Sequence, residues 1–272
     1  MKVDLTGAPE TMLATLYARA LDARAQRPIL GDTAALDAVS RIEYDFPRTG
    51  VTASTAAGVA MRAKLLDDWT AEFLARHPSA TVLHLACGLD TRAQRMAFGS
   101  GVRWVDVDLP AVAALRERLL DVPAGDYRLV HASVTDDGWW DEVPADRPVV
   151  AVFEGLTMYL TGDEVRGLVR RVAGRFGGRF GGELLFDVYG SFGIRLQRFV
   201  PAVRRAGATL HWGLDDPAVV EGWHDGVRCV DAVRSVELPQ IAAEPWSGRV
   251  PMWVMARLPK VRDVGRVLRY RF

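Results

Sequence analysis

The residues best placed for chemistry surround one turn. Ala86-Cys87-Gly88-Leu89-Asp90 closes the short apolar run Thr81-Val82-Leu83-His84-Leu85. Small residues at such a strand end let backbone approach a ligand closely, and Gly88 can take a positive φ without strain. Asp108 follows twenty residues later, at the end of a second apolar run. At that spacing a carboxylate on the neighbouring strand reaches both hydroxyls of a ribose. Capping a helix that starts at Pro110 is the competing role for Asp108, and Asp106 is a second candidate for the ribose.

A nicotinamide dinucleotide calls for a fuller G-x-G-x-x-G to anchor its pyrophosphate. This turn reads Ala86-x-Gly88-x-x-Thr91, with two of the three glycines missing. That departure weighs against a dehydrogenase. It suits a nucleoside cofactor without phosphates, of which S-adenosylmethionine is the leading example.

The surrounding periodicity supplies the elements that hold these residues. Apolar positions at helical spacing predict helices over Thr11–Gln26, Thr33–Ile42 and Ala56–Arg76, all before the first strand. Thr81–Ala86, Val102–Val107, Arg128–Ala132, Val149–Phe153 and Glu183–Val188 then read as strands. Helices over Asp90–Phe98, Ala111–Leu120 and Asp163–Phe176 separate them. Such alternation predicts a parallel sheet covered on both faces. Residues 192–223 read as an insertion, and Val227–Leu238 and Met252–Leu258 as two antiparallel edge strands. The resulting partition is one domain: a helical extension over 1–78, a cofactor-binding core over 79–188, a substrate cap over 189–225 and C-terminal strands over 226–272.

Leu85-Ala86-Cys87-Gly88-Leu89-Asp90-Thr91-Arg92 resembles the G-x-G-x-D-T-R motif of the leucine carboxyl methyltransferase family. Asp106-Val107-Asp108-Leu109-Pro110 and Glu154-Gly155-Leu156-Thr157-Met158-Tyr159-Leu160 are similar to its next two motifs. Glu10-Thr11, Tyr17-Ala18-Arg19-Ala20, Asp32 and Tyr44-Asp45-Phe46 resemble a bacterial, polyketide-methylating branch. The likeness spans about residues 10–187. It implies a class I S-adenosylmethionine-dependent, Rossmann-like α/β fold: a seven-stranded, mostly parallel sheet with an N-terminal helical extension and a small cap. By position it implies that Arg62 pairs with the methionyl carboxylate, Ala86 and Gly88 line the turn, and Asp108 holds the ribose. Ser133-Val134 occupy the adenine position, where many relatives carry Asp-Leu, and Glu154 faces the methionyl ammonium.

Other roles remain open for several of these residues. Arg62 can be a solvated helix residue, Asp90 a helix cap, and Tyr159 either core or pocket. A buried Glu154 requires a cation, which can be the cofactor's ammonium or an internal Arg92 or Arg95.

Methyl transfer from a sulfonium demands alignment and exclusion of water more than acid–base help. A carboxylate acceptor needs no base, whereas a hydroxyl benefits from one. Tyr159, His131 and His211 are the candidate catalytic groups. Tyr189, Phe192, Trp212 and Trp223 offer surface for an aromatic acceptor.

These features predict an O-methyltransferase acting on the carboxylate or hydroxyl of a small, polyketide-type molecule. A protein C-terminal carboxyl methyltransferase and a non-catalytic cofactor-binding protein are the alternatives. Thirty-four basic residues balance thirty-four acidic ones, so no overall field favours nucleic acid or an anionic membrane. Cys87 and Cys229 make neither a disulfide framework nor a metal-ligand spacing, which predicts a reducing, cytoplasmic setting and no metal.

Overall fold

A computed structural model describes residues 7–96, 98–243 and 246–272. Three helices come first: α1 (Ala8–Ala23), α2 (Thr33–Arg41) and α3 (Ala53–Arg76). Side-chain caps set where two of them begin. Asp32 accepts from the amide of Ala35, and Thr52 from that of Thr55.

The alternating half follows as β1 (Thr81–Leu85), α4 (Arg92–Arg95), β2 (Arg103–Asp108), α5 (Pro110–Leu119), β3 (Asp126–His131), β4 (Val149–Phe153), α6 (Gly162–Phe176) and β5 (Gly182–Tyr189). Pro110 opens α5, where its missing N–H does no harm. A reciprocal capping box between Thr161 and Glu164 starts α6. Short helices α7 (Ser191–Arg195) and α8 (Pro201–Arg205) lead to β6 (Arg228–Arg234). Helices α9 (Trp246–Arg257) and α10 (Pro259–Arg262) then precede β7 (Gly265–Arg271).

The strands form one seven-stranded sheet in the order β3-β2-β1-β4-β5-β7-β6. β1 to β5 pair in parallel, and β7 runs antiparallel between β5 and β6. Both faces are covered, which explains why β1 and β4 are buried along their whole length. Leu66, Trp69 and Phe73 of α3 cover one face over Val82, Val150 and Leu185. Val165, Leu168 and Val172 of α6 cover the other over Leu83, Ala151 and Leu184. Helices α1 and α2 instead pack on Leu89 of the glycine turn and on Leu115 and Leu119 of α5.

Two expectations need correction. Met252–Leu258 is not a strand: Met252–Arg257 completes α9, whose exposed Trp246, Val250, Trp253 and Val254 recur at helical spacing. The last strand is Gly265-Arg-Val-Leu-Arg-Tyr-Arg, whose arginines disguise it. Arg266 and Arg269 are buried by pairing with Asp263 and Glu183. The helix expected over Asp90–Phe98 is only the single turn α4, because Met96 is already extended.

Candidate active site

A cavity of about 410 Å³ opens at the C-terminal ends of the parallel strands, where open α/β sheets bind ligands. Its floor is the turn after β1. Ala86 and Gly88 both take left-handed backbone, at φ 50° and 52°. A Cβ on Gly88 would lie 3.2 Å from Met12 Sδ, so Met12 would have to give way by a few tenths of an ångström, and the positive φ strains any larger residue there. Asp108, buried at the end of β2, braces this turn. Its Oδ2 accepts from the Gly88 amide at 2.6 Å and its Oδ1 from the Leu109 amide at 2.7 Å. It does not cap α5, whose N-cap is Leu109. Burial pushes its carboxyl above the usual range, partly offset by the two amides.

Asp106 belongs to the interior. It accepts from Trp104 Nε1 and Tyr127 Oη, both at 2.8 Å, and pairs with Arg116 at 2.6 Å and His84 at 3.0 Å. Burial would raise its pKa, but Arg116 and His84 outweigh that and hold it at about 2.

A second charged group forms the opposite wall. Arg62, on α3, donates from Nε to Glu154 Oε1 at 3.0 Å and from Nη1 to Asp187 Oδ2 at 2.8 Å, and its Nη2 forms an ion pair with the same Glu154 oxygen at 2.9 Å. Both terminal nitrogens keep N–H donors beyond these contacts. The other oxygen of Glu154 accepts from Arg92 at 2.8 Å. Burial would push the Glu154 carboxyl up, and the two guanidinium groups bring it below the usual range.

The run Asp90-Thr91-Arg92 holds this wall to the floor from beneath. Thr91 donates to Asp32 Oδ1 at 2.6 Å, and Arg92 Nε to Asp67 at 2.6 Å. Arg95 grips Asp67 and Asp90, and Asp90 is therefore an ion-pair partner, not a cap. Arg19 reaches from α1 to the carbonyl of Leu89 at 2.9 Å.

The rest of the cavity is built differently. Val51, Val59, Met158, Val200 and Val203 give it an aliphatic lining contributed by helices and loops. Tyr159 Oη donates to Thr11 Oγ1 at 2.9 Å. Tyr189 also lines this region, and burial raises both phenols above their ordinary pKa.

The sequence model of the leucine carboxyl methyltransferases matches residues 12–173. The chain belongs to the leucine carboxyl methyltransferase family. It is 42% identical to the tetracenomycin polyketide synthesis O-methyltransferase TcmP of Streptomyces glaucescens, over 99% of this chain and 98% of that protein. It is also 42% identical to the S-adenosyl-L-methionine-dependent methyltransferase dpfgK of Gibberella zeae, over 84% and 82%. Among solved structures, a DUF574-family protein from Streptomyces avermitilis superposes with a TM-score of 0.56 at 15% identity, covering 94% of this chain and 96% of that one. A Thermobifida fusca protein gives 0.54 at 19% identity, with 93% of each covered; both show the fold. The chain is thus a class I, S-adenosylmethionine-dependent methyltransferase, as its motifs implied.

All seven family positions expected to hold the cofactor line the one cavity: Arg62, Ala86, Gly88, Asp108, Ser133, Val134 and Glu154. Ser133 Oγ lies 2.8 Å from Thr135 Oγ1. Of the expected acceptor and catalytic residues, only Tyr159 and Tyr189 reach the cavity. Trp212 and Trp223 pack together beside α6 as part of the core, 6.0 Å between ring centroids. Phe192 is half-buried in α7 outside the lining. His131 is exposed and meets Glu117 at 3.2 Å, and His211 is exposed with its backbone tied to Met158. Asp187, Asp67, Val200 and Val203 escaped the sequence reading. Asp187 looks like one more residue of a strand, and its only signal was an acid inside an apolar run.

Proposed function

We propose that this methyltransferase esterifies a carboxylate on a small, largely apolar molecule of polyketide type. One observation carries the reading: among the described residues, every acid or histidine in the cavity wall is already engaged. Glu154 is tied to Arg62 and Arg92, Asp90 to Arg95, Asp108 to two amides and His84 to Asp106. The phenols of Tyr159 and Tyr189 stay protonated at neutral pH, with pKa values raised by burial. Asp108 alone of these keeps lone pairs and in this reading they go to the ribose hydroxyls, so no general base is left for the acceptor, which must arrive ionised, as a carboxylate does.

The residues present fit S-adenosylmethionine. The positive φ of Gly88 disfavours a side chain on the floor, Asp108 keeps lone pairs for ribose hydroxyls, and Arg62 keeps N–H donors for a carboxylate. The cofactor supplies an activated methyl when bound. The chain's own part is to fix the two reactants in line and keep water away. Arg62 and Glu154 orient the amino-acid end, Ser133 and Val134 border the adenine, and Tyr189 offers a neutral donor to the acceptor, while the proton of Tyr159 goes to Thr11. The aliphatic lobe takes the acceptor's apolar body. In this reading one domain comprises a helical extension, described from residue 7 to 78, a cofactor-binding core over 79–188, a cap over 189–225 and a C-terminal part that follows it.

The deciding experiment is transfer of an isotopically labelled methyl to a panel of aromatic carboxylic acids and phenols. A product that releases the label in mild base is an ester, as expected; a base-stable aryl ether would overturn the carboxylate reading. In calorimetry S-adenosylhomocysteine should bind and NAD should not.

A further inference from the structure

Asp187 enters the site from β5, is 3% exposed, and makes three contacts that converge on the turn after β4. Its Oδ2 accepts from Arg62 Nη1 at 2.8 Å, its Oδ1 from the Gly155 amide at 2.6 Å, and its backbone carbonyl from Thr157 Oγ1 at 2.7 Å. Gly155 has φ 69°, and the nearest atom to a Cβ there would be Arg62 Nη2 at 3.9 Å. One carboxylate thus sets both the guanidinium beside Glu154 and the peptide that follows Glu154.

Held by Glu154 alone, Arg62 would be gripped along one edge, through Nε and Nη2. Asp187 grips the remaining nitrogen and fixes the plane of the fork. A purely structural role is a poor explanation for the charge, because a buried ion pair gains little over well-packed apolar groups. Asp187 also sits next to Glu154, so its ionised form is opposed by a like charge as well as by burial, which together raise its pKa despite Arg62.

We propose that Asp187 is a positioning residue for the amino-acid end of the cofactor, acting through Arg62. This rests on the cofactor reading above and adds a residue to it. The contrast between two ligands tests it. S-adenosylhomocysteine carries the amino-acid end, and 5′-methylthioadenosine keeps the nucleoside but lacks that end.

Calorimetry on the full-length protein with Asp187→Asn should show affinity for S-adenosylhomocysteine reduced by about tenfold or more, the scale of a charge-assisted contact. Affinity for 5′-methylthioadenosine should stay within about twofold, since nothing Arg62 reads has changed for that ligand. Adding Asp187→Asn to Arg62→Met should cause no further loss beyond Arg62→Met alone. Should the single variant fail to fold, this double variant, which no longer sets an amide against a buried cation, gives the same comparison. Parallel loss of both ligands, unchanged affinity for both, or additive loss in the double variant would each overturn the proposal. Failure of the unsubstituted protein to bind S-adenosylhomocysteine would instead overturn the cofactor reading.

Discussion

The two halves of the cavity are made by opposite means. The cofactor half is assembled from strand ends, and its principal charged side chains are each held by two partners. Asp108 spans two amides, Glu154 two guanidinium groups, and Arg92 both Asp67 and Glu154. The acceptor half is aliphatic and comes from α3, α8 and the loop after β4, with Tyr159 and Tyr189 as its principal polar points. The difference teaches where specificity is stored. A charged, over-determined wall reads one ligand by geometry, whereas a greasy lobe accepts shapes by volume and rejects them only weakly.

The sharpest way to break this contrast is to remove a charge from the first half. Arg92→Met leaves Asp67 and Glu154 buried without a full partner. It should destabilise the fold by about 3–5 kcal/mol, read from urea denaturation. A loss near zero would mean that the network is not over-determined.

Asp108→Ala should weaken S-adenosylhomocysteine binding by about 1.5–3 kcal/mol in calorimetry. If stability fell while affinity held, Asp108 would be a brace for the Gly88 turn and nothing more.

Acidification separates ligand reading from fold support. Asp108 has a raised pKa, so it protonates before an ordinary aspartate, and cofactor affinity should decline by up to about tenfold per pH unit from there. A carboxyl with a raised folded pKa contributes stability at low pH that is lost as pH rises, so this protonation does not itself unfold the chain. Asp67, Asp90, Glu154 and Asp106 have depressed values. Their contribution is present above the unfolded carboxylate range and disappears as pH falls through that range towards about 2, the value for Asp106. Binding titrations and tryptophan fluorescence over the same pH series should therefore show affinity failing before the fold. Simultaneous failure would contradict the assignment.

The smallest effect belongs to the acceptor lobe. Val203→Ala should raise the KM of a methylated acceptor by about 1 kcal/mol or less, with S-adenosylhomocysteine affinity unchanged. A change in both would show that the halves are not independent.

The same contrast governs what could be read from the sequence. Ala86, Gly88, Asp108 and Glu154 sit at strand ends after apolar runs, so a local pattern betrays them, and the sheet then brings them together by topology. Arg62 lay on a helix among other charged residues, and only the family motif singled it out. The acceptor lobe had no such pattern. Val51, Val200 and Val203 are ordinary apolar residues, and their role comes from how α8 sits against α1 and the segment before α3. Trp212 and Trp223 looked like binding surface because aromatics serve pocket and core equally well. The last strand was missed because ion pairs bury Arg266 and Arg269 in a strand buried on both faces, so charged residues break the apolar run that reveals such a strand.

The ion web also bears on how this chain can drift. Asp67, Arg92, Glu154, Arg62 and Asp187 come from α3, α4, the loop after β4 and β5, yet each touches the next. Neighbours so coupled do not respond additively to substitution. A single exchange strands a charge, while a matched pair of exchanges does not. The separate motifs along the chain are therefore one constraint written in several places, and lineages should change them together or not at all.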